Sequence, residues 1–214
     1  MKSVLVIGMG KFAHYLVRSM AKNGNQIMIV DKNEEKMTDL LDIVTSAKIA
    51  DCTKREVLST FGVEEFDLCI VCVADDFQSS LEITDLLIEL GARQVTALAS
   101  TDIQEKFLYR IGAQRVIHPD RDAANRLAMK ISHDSVLDYI SISRDFSIYE
   151  LLPPKKWIGK SLSELRVRAK WGITVLAIKP AENKLIMPSA EYEFKPDDHM
   201  VVMGKEDDIR RLIS

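Results

Sequence analysis

Two glycines and one acid carry the clearest chemistry in this chain. Gly8-Met9-Gly10-Lys11-Phe12-Ala13 follows the apolar run Val4-Leu5-Val6-Ile7, and Asp31 closes the next apolar run, Ile27-Met28-Ile29-Val30. In a strand, turn, helix and strand unit the first glycine permits a tight turn. The second lets backbone N–H groups approach a pyrophosphate at the positive end of a helix, and the small Ala13 lets helix and strand pack closely. Asp31 then faces a ribose, with Lys32 beside it, and an acid at that position disfavours a 2′-phosphate. Met9 and Phe12 complete the turn, and the Lys11 ammonium stands within reach of a terminal phosphate. Asp51-Cys52-Thr53 ends the third apolar run and Val73-Ala74-Asp75-Asp76 the fourth. Those positions wall an adenine in an open parallel sheet, with Asp51 able to accept from its amino group; Asp75 and Asp76 serve equally well as caps of the next helix.

Chemistry for turnover is missing. His14, His118, His133 and His199 stand without sequence neighbours that would make a proton relay, and neither a serine nucleophile elbow nor a His-Glu-x-x-His motif occurs. Cys69-x-x-Cys72 has redox or metal spacing, but it lies in an apolar run and lacks a second ligand pair, so buried inert thiols are expected. The residues describe a reader of nucleotides.

The elements that must position these groups follow from periodicity. Candidate strands are Val4 to Ile7, Ile27 to Val30, Ala47 to Ala50, Leu68 to Val73, Gln94 to Leu98 and Arg115 to Ile117. Between them, Phe12-Leu16-Val17-Met20, Met37-Leu40-Leu41-Val44, Leu81-Ile83-Leu86-Leu87-Leu90 and Phe107-Leu108-Ile111 repeat at three and four residues, as helices do. Such alternation predicts an α/β fold: a Rossmann-like, doubly wound parallel sheet covered on both faces. After Pro119 a helical pattern runs through Leu127 and Ile131 to Val136, Leu137 and Ile140. This long helix, with Leu137 on its apolar face, is expected to cross to a partner chain.

The pattern then changes to short strands at Phe146 to Leu152, Ile173 to Ile178, Lys184 to Met187 and Met200 to Met203. Turn chemistry separates them at Pro153-Pro154, Glu182-Asn183 and Pro196-Asp197-Asp198. Ser161-x-x-Glu164 is a capping box and Asp207 to Ile213 a terminal helix. A small α+β C-terminal domain is therefore expected at 139–214, after a nucleotide-binding domain at 1–138. A module of about 70 residues is marginal alone and gains by dimerising.

The 214 residues are 47% hydrophobic with a net charge of −3, enough for a core and without a basic stripe for a nucleic acid polymer. Neither a membrane-length apolar stretch nor room for a signal peptide is seen, so a cytoplasmic location is expected.

VIGMGKFA, IVDKNEEK, IADCT, LCIVCVADD followed by QSSLEITDLL, IGAQRVIHPDRDAANRLA, VLDYI and LRVRAKWGITVLAIKP together resemble the regulator-of-potassium-conductance proteins of the KtrA, KtrC and TrkA type. The resemblance covers essentially the whole chain. It implies a non-enzymatic gating subunit, peripheral on the inner face of the membrane, whose homodimers assemble into an octameric ring beneath a membrane-embedded potassium transporter subunit. ATP or ADP binding would reshape that ring, with ATP favouring conduction. It places Gly8, Gly10, Lys11 and Phe12 on the phosphate turn, Asp31 on the ribose, and Asp51, Val73 and Ala74 at the adenine. Lys11 stands where close relatives carry an Arg directed at a neighbouring subunit's γ-phosphate, and Leu98 where Lys or Arg is common. Lys keeps the charge without the bidentate fork, which leaves ADP and NAD(H) as competitors. Asp120 falls on a family Glu that binds a divalent cation, Mg²⁺ or Ca²⁺, between protomers. Val167, Arg168, Ile173 and Pro188 resemble a cleft that receives cyclic di-AMP in some relatives. The alternatives are an NAD(H)-dependent oxidoreductase or redox sensor, and a cyclic di-AMP receptor acting through the C-terminal domain.

Overall fold

The computed structural model describes residues 1–143, 145–180 and 184–213. It divides into two compact units, Met1–Arg121 and Asp122–Ser214.

The first unit is built on six parallel strands: β1 (Ser3–Ile7), β2 (Gln26–Asp31), β3 (Ser46–Ile49), β4 (Leu68–Val71), β5 (Val95–Leu98) and β6 (Arg115–Ile117). Their order is β3-β2-β1-β4-β5-β6. Helices α1 (Lys11–Lys22), α2 (Arg55–Leu58), α3 (Phe77–Glu89) and α4 (Asp102–Arg110) connect them, and α5 (Pro119–Ser132) begins here and continues as the first helix of the second unit. The period of two explains the two cores. Leu5 and Ile7 of β1 join Ile83 and Leu87 of α3 and Leu108 of α4 on one face, while Val4 and Val6 join Ala13 and Val17 of α1 on the other. Both faces are thus apolar, as a covered parallel sheet requires. Cys69 belongs to the first core and Cys72 to the second.

The second unit holds β7 (Val136–Ser141), β8 (Phe146–Leu151), β9 (Thr174–Lys179) and β10 (His199–Lys205), antiparallel in the order β7-β8-β10-β9. Short α6 (Leu162–Leu165) and α7 (Val167–Trp171) precede β9, and α8 (Glu206–Ile213) ends the described chain. Ser161 caps α6 in the expected box: the Glu164 N–H donates to its Oγ at 3.2 Å and its own N–H donates to Glu164 Oε2 at 2.9 Å. Trp157 centres this core, fully buried between Phe194 and Trp171 with ring centroids 5.6 and 5.8 Å away.

Several expectations are corrected. The helix after Pro119 ends at Ser132, and residues 136–141 form β7, so Leu137 is a strand residue rather than part of a helical face. Val136 and Asp138 pair with Leu151 and Glu150 of β8. The stretch from Met37 to Val44 forms a 3-10 helix, Thr38–Ile43, preceded by another at Glu34–Lys36, rather than an α-helix, leaving Leu41 and Ile43 exposed. Lys184 to Met187 is not a strand; Ile186 alone bridges Ile178. The Glu182-Asn183 turn lies outside the described residues.

Candidate functional site

The strand order reverses between β1 and β4, and there the sheet opens a crevice beyond its carboxyl ends. Gly8 enters it with φ +90°, and a Cβ there would meet Val73 Cγ2 at 2.7 Å and the Cys72 carbonyl oxygen at 3.0 Å, so the turn demands glycine. Gly10 is the cap of α1 in extended backbone, φ −76° and ψ 176°, and a Cβ on it would meet nothing within 4 Å. No side chain caps α1, which leaves first-turn N–H groups open to an anion at the positive helix end. Lys11 begins α1 exposed, Phe12 packs half-buried on the second core, and Met9 is buried.

Asp31 does more than its position predicts. The Met9 N–H donates to its Oδ2 at 2.6 Å and the Asn33 N–H donates to its Oδ1 at 2.8 Å. One carboxylate therefore ties the end of β2 to the glycine turn and holds that turn in shape.

Two cavities flank the turn. The smaller, about 240 Å³, is lined by Gly8, Asp31, Lys32, Cys52, Val73 and Asp76 among others. The larger, about 900 Å³, is lined by Met9, Gly10, Lys11, Phe12, Ala74, Leu98 and Asp120 among others. Lys36 lines both and was not legible as a site residue, although it closes the Asn33-Glu34-Glu35-Lys36 run beside Asp31. Asp51 lines neither. Its Oδ1 accepts from the Thr53 hydroxyl at 2.6 Å, the Thr53 N–H at 3.0 Å and Lys32 Nζ at 3.2 Å. The Thr53 hydroxyl above all, with its N–H and Lys32, holds this carboxyl below the usual range. Asp76 caps α3, accepting the Ser79 N–H at 3.1 Å and the Ser79 hydroxyl at 2.6 Å, while Asp75 borders the larger cavity. Asp120 is the second residue of α5, exposed at the rim of that cavity.

Residues 4–119 match the TrkA-N domain and residues 146–214 the TrkA-C domain. The chain is 35% identical to Ktr system potassium uptake protein C of Bacillus subtilis over 211 residues, 99% of this chain and 96% of that protein. It is 36% identical to Ktr system potassium uptake protein A of the same organism, over 99% and 95%. The chain belongs to this TrkA-type Ktr family. Among solved structures, the GsuK RCK domain superposes with a TM-score of 0.68 at 18% identity, over all of this chain and 48% of that one. The GsuK channel bound to NAD gives 0.67 at 17%, over 100% and 39%. These likenesses are of fold, and this chain spans less than half of each of those chains.

In the TrkA-C domain, Val167, Arg168 and Ile173 line a cavity of about 330 Å³, with Ile173 fully buried; Pro188 does not line it. Arg166, at its edge, has φ 47°, the one non-glycine in the left-handed region among the described residues. In the TrkA-N domain the cysteines settle a sequence alternative. Cys69 and Cys72 point to opposite faces of the sheet and so are not placed to pair, and burial pushes the thiols of Cys52, Cys69 and Cys72 up to about 12. His118, read from sequence as lacking partners, lies 2.8 Å from Glu105, and His199 lies 2.9 Å from Glu150. Among the described residues, no helix is long and apolar enough to cross a membrane.

Proposed function

We propose that this chain is the nucleotide-reading, non-enzymatic gating subunit of a potassium uptake system, working on the inner face of the membrane against a membrane-embedded transporter subunit. The observation that carries the proposal is the open end of α1 at Gly10, set between two cavities in a chain that matches Ktr potassium uptake proteins along nearly its whole length. Adenosine fits the smaller cavity, with Asp31 and Lys32 at the ribose and Cys52 and Val73 beside the base. The phosphates then lie over Gly8, Met9 and Gly10 and reach into the larger cavity, where Lys11 and Lys36 meet the last phosphate. A triphosphate shifts the subunit only through contacts a diphosphate lacks; in this reading the two lysines, with Arg18 lining the same cavity, make that difference. Homodimers assembling into an octameric ring would carry the change to the transporter. In this reading Asp120, which lines the same cavity as Lys11, would hold a divalent cation beside bound phosphates, and the cavity of Val167, Arg168 and Ile173 would receive cyclic di-AMP.

Buried thiols that face apart and stay protonated weigh against a redox sensor, and an NAD(H) enzyme would need a proton relay at the larger cavity. The test is calorimetric titration with ATP, ADP, NAD and NADH in Mg²⁺, on the protein and on Gly10→Asp. Binding of ATP and ADP with different affinities, lost in the variant, is expected. Exclusive NADH binding, or no nucleotide binding, would overturn the proposal.

A further inference from the structure

Outside the crevice, three metal-ligating side chains of the TrkA-N domain converge. Asp102 and Glu105 lie on the first turn of α4, and His118 follows β6; one ligand atom from each lies within 4.8 Å of the others. His118 is 3% exposed, and its Nε2 stands 2.8 Å from Glu105 Oε2. Glu105 is partly covered and Asp102 reaches solvent. The fold fixes the ring, while the two carboxylates stay adjustable.

We propose that Asp102, Glu105 and His118 form a binding site for a first-row transition-metal dication such as Zn²⁺, separate from the nucleotide crevice. The donor set selects the class. An imidazole nitrogen with two carboxylates suits zinc and its neighbours, whereas magnesium and calcium favour all-oxygen shells. Ligands about 2.0 to 2.2 Å from one ion sit roughly 3.3 Å from each other, so donor atoms already within 4.8 Å need only side-chain rotations, which the exposed Asp102 supplies. The metal takes the Nε2 lone pair, and the ring then carries its proton on Nδ1.

Arg121 is the charge the ion must replace. Its Nη1 lies 2.7 Å from Asp102 Oδ1 and 3.5 Å from Glu105 Oε2, holding the two carboxylates together by bridging them. The Arg121 side chain is 45% exposed, and a solvent-exposed ion pair is weak in water, so the guanidinium yields to a dication at small cost. A bound ion would pin the first turn of α4 to the junction of β6 and α5, a tie that Arg121 makes more loosely.

The experiment is a chelator-buffered Zn²⁺ titration of the full chain without nucleotide, read by calorimetry, with Co²⁺ absorption reporting the donor set. One Zn²⁺ per chain is expected, weakened at least tenfold by Asp102→Asn and by Glu105→Gln, tightened by Arg121→Gln, and unaffected by Asp85→Asn, an exposed acid of α3. Asp102 is exposed, so its variant keeps the fold where a His118 substitution risks it. Absence of Zn²⁺ binding, unchanged affinity in the Asp102 and Glu105 variants, or loss of binding in Asp85→Asn alone would each overturn the assignment. None of these outcomes depends on the nucleotide proposal.

Discussion

Gly8 and Gly10 stand two residues apart, and the structure gives them opposite jobs, which makes Gly8→Ala and Gly10→Ala an incisive pair. An alanine at 8 must hold φ +90°, worth about 1 to 3 kcal/mol of backbone strain. It must also push against the Cys72 backbone and Val73, an overpacking cost of about 1 to 3 kcal/mol. Together these remove about 2 to 6 kcal/mol from a fold worth about 5 to 15. With a urea dependence of about 2 kcal/mol per molar, the midpoint falls by roughly 1 to 3 M. An alanine at 10 keeps an ordinary φ and touches nothing, so it costs only about 1 kcal/mol, the difference between a glycine and an alanine cap. Its methyl instead occupies the approach to the α1 N–H groups, and ATP affinity drops at least tenfold, about 1.4 kcal/mol. Far-UV circular dichroism follows both units, whereas both tryptophans, Trp157 and Trp171, lie in the second unit and report it alone. Gly8→Ala should therefore move the dichroism transition and leave the tryptophan fluorescence transition in place. Equal midpoint losses in the two variants, or wild-type ATP binding by Gly10→Ala, would refute this division of labour.

Asp31→Asn retains one acceptor oxygen where two are used by Met9 and Asn33, so the first unit should lose about 1 to 3 kcal/mol in urea denaturation; an unchanged midpoint would show that the turn stands without this tie. Asp138, held far below the usual carboxylate range chiefly by the Arg126 guanidinium, contributes stability that is present above the unfolded value near ~4 and is lost as pH falls below it. Asp138→Asn should thus lower the tryptophan-monitored urea midpoint at pH 7 and lower it less at pH 3, and a loss that is the same at both would show that the ion pair is not its source.

Much of the first unit was readable because strand and helix alternate with clean periods, and because Gly8, Gly10 and Asp31 sit at fixed offsets from β1 and β2. The failures have physical causes. Val136, Leu137 and Ile140 continue a helical spacing, but the chain between Ser132 and Val136 leaves the helix, and the two β-branched residues pair with β8. Met37, Leu40, Leu41 and Val44 repeat at helical spacing over too short a run, and only Met37 and Leu40 reach full burial. The use of Asp31 by two backbone donors, the capture of Asp51 by Thr53, and the meeting of His118 with Glu105 depend on turns of side chains in space. Periodicity carries no record of them.

The alternation of β1 side chains between two cores has a mechanical meaning for the crevice. Gly10 and Lys11 belong to the helix that packs on one face of the sheet, and Asp76 and Ser79 to the helix start that packs on the other. A molecule seated across the glycine turn would touch both helical layers at once, like a keystone between two halves of an arch.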